Sequence, residues 1–406
     1  MPDSPHQSLP DGSQAPLDNG QHILIGAYTD TLRLMRQVGI SPEAALLDMP
    51  MTLQFPDGLG LRFADLPTPL DALGGILQAR GWSLADKWSL LRAALGWQLR
   101  RFSCADTLSV AELCRGLTAR VQAELIEPLC VSALNTPPEQ ASAQVFLRVM
   151  RDALFGAQGG SRLLLPRVDL SALFPDAAKQ WLLKHGCQIR LGHRVKALQS
   201  SGRQWLLLGE PFDAVILATS ATHAAQTLSV CAKAAAPPVA EKVQRWISTC
   251  QAMHHEAIAT VYAWAPQATL PRAMLALRSS APYPAQFVFD RGQLGGPAGL
   301  MAFVVSAAQG ERATLQAQVL AQAQAQLGLN LQVVQTVVEK RATFACTPGL
   351  QRPLPTIAPG LLACGDYVAG PYPATLEGAV RSACAAVALL SSANAFEGPN
   401  SFGQVD

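Results

Sequence analysis

Leu361–Leu390 reads LLACGDYVAGPYPATLEGAVRSACAAVALL. Its parts follow the order of a strand, a loop and a helix at the end of an α/β sheet. LLACGD is a short apolar run that ends at the carboxylate of Asp366. Gly370, Pro371 and Pro373 then interrupt regular structure, and small and apolar residues recur at helical spacing from about Glu377, Gly378 and Ala379 onward. A helix amino terminus carries free N–H groups and partial positive charge, which suits an anion or an electron-rich ring edge. A generic strand-loop-helix would look similar, so the flanking sequence has to decide between them.

Upstream, FDAVILATS holds an apolar run, Ala214 to Ala218, ending in Thr219 and Ser220. Such a run is expected to be a buried parallel strand delivering a small-residue turn, and nucleotides bind at such ends in open α/β sheets. Ahead of it, from about Gly159, lie a loop, a helix expected from Leu170 to His185, a strand CQIRLGHRVKAL and a further strand QWLLLG. Near the start, LDNGQHILIGAY is extended, and Thr29 to Val38 has Leu32, Leu34, Met35 and Val38 on a helical pattern stopped by Gly39. LQFPDGLGLRF suits a hairpin or a rim loop. Thr68 to about Arg151 is mostly helical, with starts expected at Ser83, Ser103 to Asp106, Ser109 and Pro138. Residues 221 to 345 alternate helices with strands such as AIATVYAWA, AQFVFDRG and GLMAFVVSA, which suggest an antiparallel sheet. The Ala/Gln-rich piece from Thr314 to Leu329 keeps Leu315, Val319, Leu320 and Leu327 on one face and is expected to be a helix.

The chain has 406 residues, 49% hydrophobic and 15% charged, enough for a large core in two or three layers. A net charge of +2 with dispersed Lys and Arg argues against nucleic-acid binding. Nine cysteines without a CxxC pair or zinc-type spacing suggest reduced thiols in a cytoplasmic protein. No metal site is expected: His254 and His255 are adjacent and would point apart. The opening MPDSPHQSLPDGSQAP is polar and unlike a secretory signal, and no apolar run reaches the length of a spanning helix. Trp82, Leu84, Trp88, Leu91, Leu95 and Trp97 recur near helical spacing, with Lys87, Arg92, Arg100 and Arg101 among or after them. Two readings stay open for this stripe: a helix buried against its neighbours, or a surface that lies on a membrane.

Leu361–Leu390 resembles the carboxyl-terminal flavin-binding segment of the amine oxidase and carotenoid desaturase flavoproteins. DNGQH at residues 18–22 ahead of ILIGAY, EPLCVSALNTPPEQASA at 127–143 and the LEGA ending together resemble the bacterial hydroxysqualene dehydroxylase family, from about residue 17 to 390. The resemblance implies an α/β fold with an FAD-binding Rossmann-like domain of the amine oxidase/glutathione reductase type and a second, helical and mixed-sheet (α+β) substrate domain. The implied FAD domain comprises 1–40, 159–225 and 346–395, the substrate domain 41–158 and 226–345, and 396–406 forms a tail. Members of the family begin with a GxGxxG turn between a strand and a helix, and here no GxGxxG precedes DNGQH. The dinucleotide domain is therefore expected to be N-terminally truncated, most simply through an incomplete gene model.

By the same resemblance Gly365, Asp366, Thr375, Leu376, Gly378 and Ala379 would contact FAD, with Asp366 on its ribityl or phosphate part. Gly20 and Gln21 would lie beside the ring. Val195 of GHRVKAL would meet the adenine, unless it is a plain edge-strand valine, and Ala218 and Thr219 are further contacts. The implied reaction is reduction of hydroxysqualene to squalene in hopanoid biosynthesis, with Asp18, His22, Tyr28 and Glu377 as unranked proton donors. Carotenoid-type desaturation or another amine-oxidase-like flavin reaction is an alternative, and a non-catalytic remnant or scaffold of the isoprenoid pathway is an alternative of another class. The implied substrate is a hydrophobic isoprenoid. The expected location is cytoplasmic with peripheral contact on the inner face of the cytoplasmic membrane, and no residue identifies the external electron donor.

Overall fold

The computed structural model describes residues 6–154, 156, 158–202, 204–234 and 237–396. The chain forms two compact units, one of residues 1–189 and 255–349, the other of 190–254 and 350–406. These boundaries differ from the expected domains. Residues 17–40 and 159–189 pack in the first unit because the strand Leu163–Pro166 pairs antiparallel with both Leu24–Ile25 and Leu46–Met49. The small core beneath these strands gathers Leu24, Met35, Leu46, Leu164 and Leu173.

The first unit is dominated by a five-stranded antiparallel sheet in the order Met274–Ala276, Phe287–Asp290, Leu300–Ser306, His255–Trp264 and Gln332–Phe344. Period-2 alternation gives it two different faces. Ala259, Val261, Met301, Phe303 and Val305 meet Leu315, Val319 and Ala323 of the helix Arg312–Leu327, which lies where the Ala/Gln-rich piece was expected. Gln322 is fully buried in that helix. Its Oε1 accepts from Ala285 N–H at 2.8 Å and its Nε2 donates to Ala285 C=O at 2.8 Å, completing the backbone just ahead of Phe287–Asp290. The opposite face carries Thr260 and Tyr262, level with Val304 and Ala302 on one neighbour and Val337 and Gln335 on the other.

The rest of the first unit is largely helical: Leu70–Gln78, Leu84–Leu99, Val110–Leu113, a run over 119–134 with a π-turn at Gln122–Ile126, and Ala143–Leu154. Ser83 and Ser109 each close a capping box, with Asp86 and Glu112 respectively, at the starts expected from sequence. The last helix begins at Ala143 and not at Pro138, since the intervening residues turn to place Val110 N–H on Ala141 C=O. Asn135 ends the 119–134 run in the left-handed region. Its amide bridges Thr343 Oγ1 and Ala307 N–H, so part of the EPLCVSALN motif holds the helices to the sheet.

In the second unit Val215–Leu217 pairs parallel with Leu361–Ala363, and Thr356–Ala358 adds an antiparallel edge. Helices Ala221–Ala234 and Pro237–Gln251 precede the return to the first unit, and Leu376–Phe396 closes the chain. The expected strand over 187–198 does not form: only Leu198–Ser201 is a strand, in an antiparallel three-stranded sheet with Gln204–Leu207 and Glu210–Phe212. Strands persist through ladder pairing, and no described strand pairs with 187–197. The helix expected from Leu170 to His185 is two helices, Leu170–Leu173 and Pro175–Lys184. Pro175 lacks the N–H that would continue the first.

Gln322→Leu keeps the volume and leaves the N–H and C=O of Ala285 buried without partners. Urea unfolding should show a loss of about 2 to 4 kcal/mol at unchanged m-value. A midpoint equal to that of the parent would deny these bonds a structural role.

Candidate functional site

Two groups of the expected site residues come together, one in each unit. In the second unit the parallel strands end level with one another, and Cys364 N–H donates to Leu217 C=O at 3.0 Å. Ala218 and Thr219 follow one strand, and Gly365 and Asp366 the other. Ser382 Oγ accepts from Gly365 N–H at 2.8 Å and lies within 3.0 Å of Gly365 C=O, which pins the helix Leu376–Phe396 against the strand end.

The loop before that helix is tightly wound. Tyr372 and Ala374 both have φ of +57°, unusual for residues with side chains. The Tyr372 carbonyl is thereby turned onto Gly378, where a Cβ would lie 2.0 Å from it, so only glycine fits. Thr375 caps the helix, its Oγ1 accepting from Gly378 N–H at 3.0 Å and its carbonyl from Ala379 N–H at 3.1 Å. Leu376 remains exposed in the first turn.

Glu377 is fully buried and paired with Arg381 at 2.8 Å, and the Arg381 guanidinium also lies 4.7 Å over the Tyr372 ring. This expected proton donor is thus already engaged by a cation within its own helix. Burial pushes the Asp366 carboxyl above its ordinary range; the backbone N–H groups of Asp366 and Tyr367 and the charge of Arg352 oppose this. Next to it, the Tyr367 hydroxyl is buried without a hydrogen-bond partner among the described residues. Val195 lies in the irregular stretch ahead of Leu198–Ser201, half-buried.

In the first unit, residues 18–22 form a loop against the sheet face that carries Thr260 and Tyr262. Tyr262 OH donates to Asp18 C=O at 3.1 Å, and the Arg291 guanidinium donates to Gln21 Oε1 at 3.1 Å. Asp18 Oδ1 accepts from Leu170 N–H at 3.0 Å, which ties the loop to the helix Leu170–Leu173. His22 Nδ1 lies 3.0 Å from Gly20 C=O. A carbonyl only accepts, so Nδ1 carries the proton, and Nε2 is an acceptor in the neutral ring and a donor in the cation. Tyr28 sits deeper, packed against the small core around Leu24 and Met35.

A Cβ at Gly20 would find its nearest neighbours, His22 Cε1 and Thr260 Oγ1, no closer than 3.8 Å. The fold therefore tolerates a side chain there. Thr260 Oγ1 and Gln335 Oε1 are buried without partners among the described residues on this same face, and burial raises the Tyr262 phenol well above its ordinary value. Polar atoms left so in a dry setting are suited to a ligand. Thr260, Tyr262, Arg291 and Gln335 did not emerge from sequence reading. The signal was the polar-apolar alternation of AIATVYAWA, but the face it marks depends on residues far away in the chain.

These features fit FAD. The second unit offers a helix amino terminus, a desolvated carboxylate and an orphan hydroxyl, and the first offers a glycine loop over orphan polar atoms. Asp366, Thr375, Leu376, Gly378 and Ala379 of the second unit, and separately Gly20 and Gln21 of the first, are the residues whose chemistry would suit such a group.

The family model described as flavin containing amine oxidoreductase matches residues 7–391. A hydroxysqualene dehydroxylase of Rhodopseudomonas palustris is 28% identical over 411 residues, covering 93% of this chain and 87% of its own length. Another, from Sinorhizobium fredii, is 28% identical over 232 residues, 52% of each chain. Cyclohexylamine oxidase from Brevibacterium oxydans shares the fold with a TM-score of 0.64 at 13% identity, covering 97% of this chain and 91% of that one. An oxidoreductase from Methanosarcina mazei has a TM-score of 0.64 at 14% identity, covering 90% and 87%. Matched along almost its full length by that family model, the chain belongs to the flavin containing amine oxidoreductase family and is an FAD-dependent oxidoreductase.

Proposed function

We propose that this oxidoreductase reduces hydroxysqualene to squalene in hopanoid biosynthesis. The observation that carries the reading is the similarity to the Rhodopseudomonas palustris hydroxysqualene dehydroxylase, which runs through 93% of the chain. The sheet face opposite the helix Arg312–Leu327 is compatible with it: Ala302, Val304, Phe287 and Phe289 make it a buried, mainly apolar layer. Thr260, Tyr262 and Gln335 interrupt it with few polar atoms, as a long isoprenoid with a single hydroxyl requires.

In this reading the allylic hydroxyl leaves as water, taking up a proton, and hydride replaces it on carbon. Reduced FAD supplies that hydride. The chain has to deliver the proton, orient the hydroxyl and keep bulk water out. His22 is the donor best disposed: Gly20 C=O fixes Nδ1–H, so the protonated ring presents Nε2–H to a substrate oxygen. Asp18 and Glu377 are held by Leu170 N–H and Arg381 respectively, and Tyr28 packs into a core, which makes them weaker donors. Gly365, Asp366, Thr375, Leu376, Gly378, Ala379, Ala218, Thr219 and Val195 remain the FAD contacts of the proposal, with Gly20 and Gln21 beside the ring. A substrate of this kind partitions into bilayers and not into water, so the reading also requires peripheral contact with a membrane.

The test is anaerobic incubation of the FAD-loaded protein with hydroxysqualene and a chemical reductant, followed by product analysis. Squalene is expected. No squalene, with desaturated products from a polyene under oxidising conditions, would assign the desaturase reaction instead. His22→Gln keeps a hydrogen-bonding side chain but cannot supply the proton. It should lower kcat about a hundredfold or more, with the bound-flavin spectrum unchanged. Parent-like kcat in this variant would exclude His22 as the acid.

Asp366 makes a separate prediction. Its folded-state carboxyl titrates above the ordinary aspartate value of 3.8 because it is desolvated. At pH below 3.8 both folded and unfolded chains hold the proton and the site costs nothing. As pH rises through 3.8 toward the folded value the unfolded chain ionises first and stability is lost. Asp366→Asn, neutral at all pH, should therefore melt higher than the parent as apoprotein at pH 7, the gap closing toward pH 3.8. It should also release FAD about tenfold more readily or worse. A lower apoprotein melting temperature at pH 7 would contradict this account of the site.

A further inference from the structure

Residues 66–101 carry two helices whose outward faces are as apolar as their buried ones. In Leu84–Leu99 the buried side is Asp86, Ser89, Leu90 and Trp97. The outward side holds Leu84 at 85% exposure, Trp88 at 68%, Leu95 at 57% and Leu99 at 77%. These positions follow one another at intervals of four, seven and four residues and so share one face. The preceding helix, Leu70–Gln78, repeats the pattern: Asp71, Ala72, Gly75 and Ile76 are buried and Leu70, Leu73 and Leu77 are exposed. Lys87 Nζ donates to Leu77 C=O at 2.7 Å, so the carboxyl end of one helix meets the first turns of the other.

The charges over the same residues are one-sided. Asp71 and Asp86 are the acidic side chains from 66 to 101, and both are buried: Asp71 accepts from Ser161 Oγ, and Asp86 from Ser83 and Thr118. Arg80, Lys87, Arg92, Arg100 and Arg101 are the basic ones; Lys87 is half-buried and the four arginines are exposed. Every charge that reaches solvent here is therefore positive. A water-facing helix is normally polar on its outer side, and one that is apolar all round is covered by something. Leu and Trp on the exposed face with Lys and Arg around them form the composition of helices lying in a lipid headgroup layer.

We propose that the helices Leu70–Gln78 and Leu84–Leu99 together form a face that docks on an anionic lipid bilayer. Leu70, Leu73, Leu77, Trp88, Leu95 and Leu99 enter the acyl boundary, and the cationic side chains meet lipid phosphates. None of the described helices is long and apolar enough to cross a membrane, so the attachment is to one leaflet. The proposal stands whether or not the substrate is hydroxysqualene.

The test is flotation of the full-length FAD-loaded protein with vesicles of phosphatidylglycerol and phosphatidylcholine, beside pure phosphatidylcholine vesicles. The protein should float with the anionic vesicles, less with the neutral ones and less again in high salt. The double variant Trp88→Asp/Leu95→Asp should bind vesicles about tenfold more weakly or worse. It should keep its melting temperature, its flavin spectrum and its turnover of detergent-dispersed substrate, because both side chains already face solvent. Arg100→Glu/Arg101→Glu should erase the preference for anionic lipid. The proposal is overturned if the parent stays at the bottom of the gradient, or if the Asp double variant floats as the parent does. It is equally overturned if light scattering finds a dimer that the double variant splits and vesicles do not bind, which would assign the face to a second copy.

Discussion

The strand His255–Trp264 is paired along both edges, to Leu300–Ser306 and to Gln332–Phe344, and the first unit is organised around its alternation. Ala259 and Val261 are small or compact, so the helix Arg312–Leu327 packs directly on that side. Thr260 and Tyr262 necessarily turn the other way. A one-residue slip in register would exchange the two faces and put a phenol and a hydroxyl into the aliphatic core. The bond from Tyr262 to Asp18 C=O then fixes where the 18–22 loop lies, and Arg291 on Gln21 fixes its far side. The loop's position is thus a consequence of strand register.

This explains which parts of the site could be read in advance. The strand-loop-helix of 361–390 is local: its carboxylate, its prolines and its Thr-capped helix are neighbours in sequence, and their arrangement follows from turn chemistry and helix capping. The helix over 312–327 and the hairpin Thr52–Gln54 with Gly60–Arg62 were legible for the same reason. Tyr262 and Arg291 were not, because each meets its partner across more than 240 residues, and alternation marks a face without saying what covers it. The strand expected at 187–198 failed on a similar ground. Its residues have suitable strand propensity, but a ladder needs a partner and propensity supplies none. The domain boundaries failed where a short strand, Leu163–Pro166, joined distant segments into one sheet.

The buried Glu377 and the half-buried Asp366 of the second unit illustrate opposite solutions to one cost. Removing a carboxylate from water is unfavourable unless charge or hydrogen bonds replace the lost solvent. Glu377 has a full replacement in Arg381, at the start of a helix where the dipole also favours negative charge. That arrangement is complete without any ligand. Asp366 has two backbone N–H groups and the distant charge of Arg352, and its proton affinity still rises. An acid left under-compensated beside the orphan hydroxyl of Tyr367 lowers the stability of the fold above the ordinary aspartate pKa.

The same reasoning separates His22 from Asp18, four residues apart in one loop. A proton donor must keep an atom for its substrate, so the more completely a group is used by the fold the less it can do in chemistry. Asp18 spends its carboxylate on Leu170 N–H and its carbonyl on Tyr262, both bonds that hold the loop in place. Among the described residues the His22 ring is anchored through Nδ1. That single bond sets the tautomer and the ring's orientation while committing neither the Nε2 atom nor its proton, and an imidazole held in this way is positioned without being consumed.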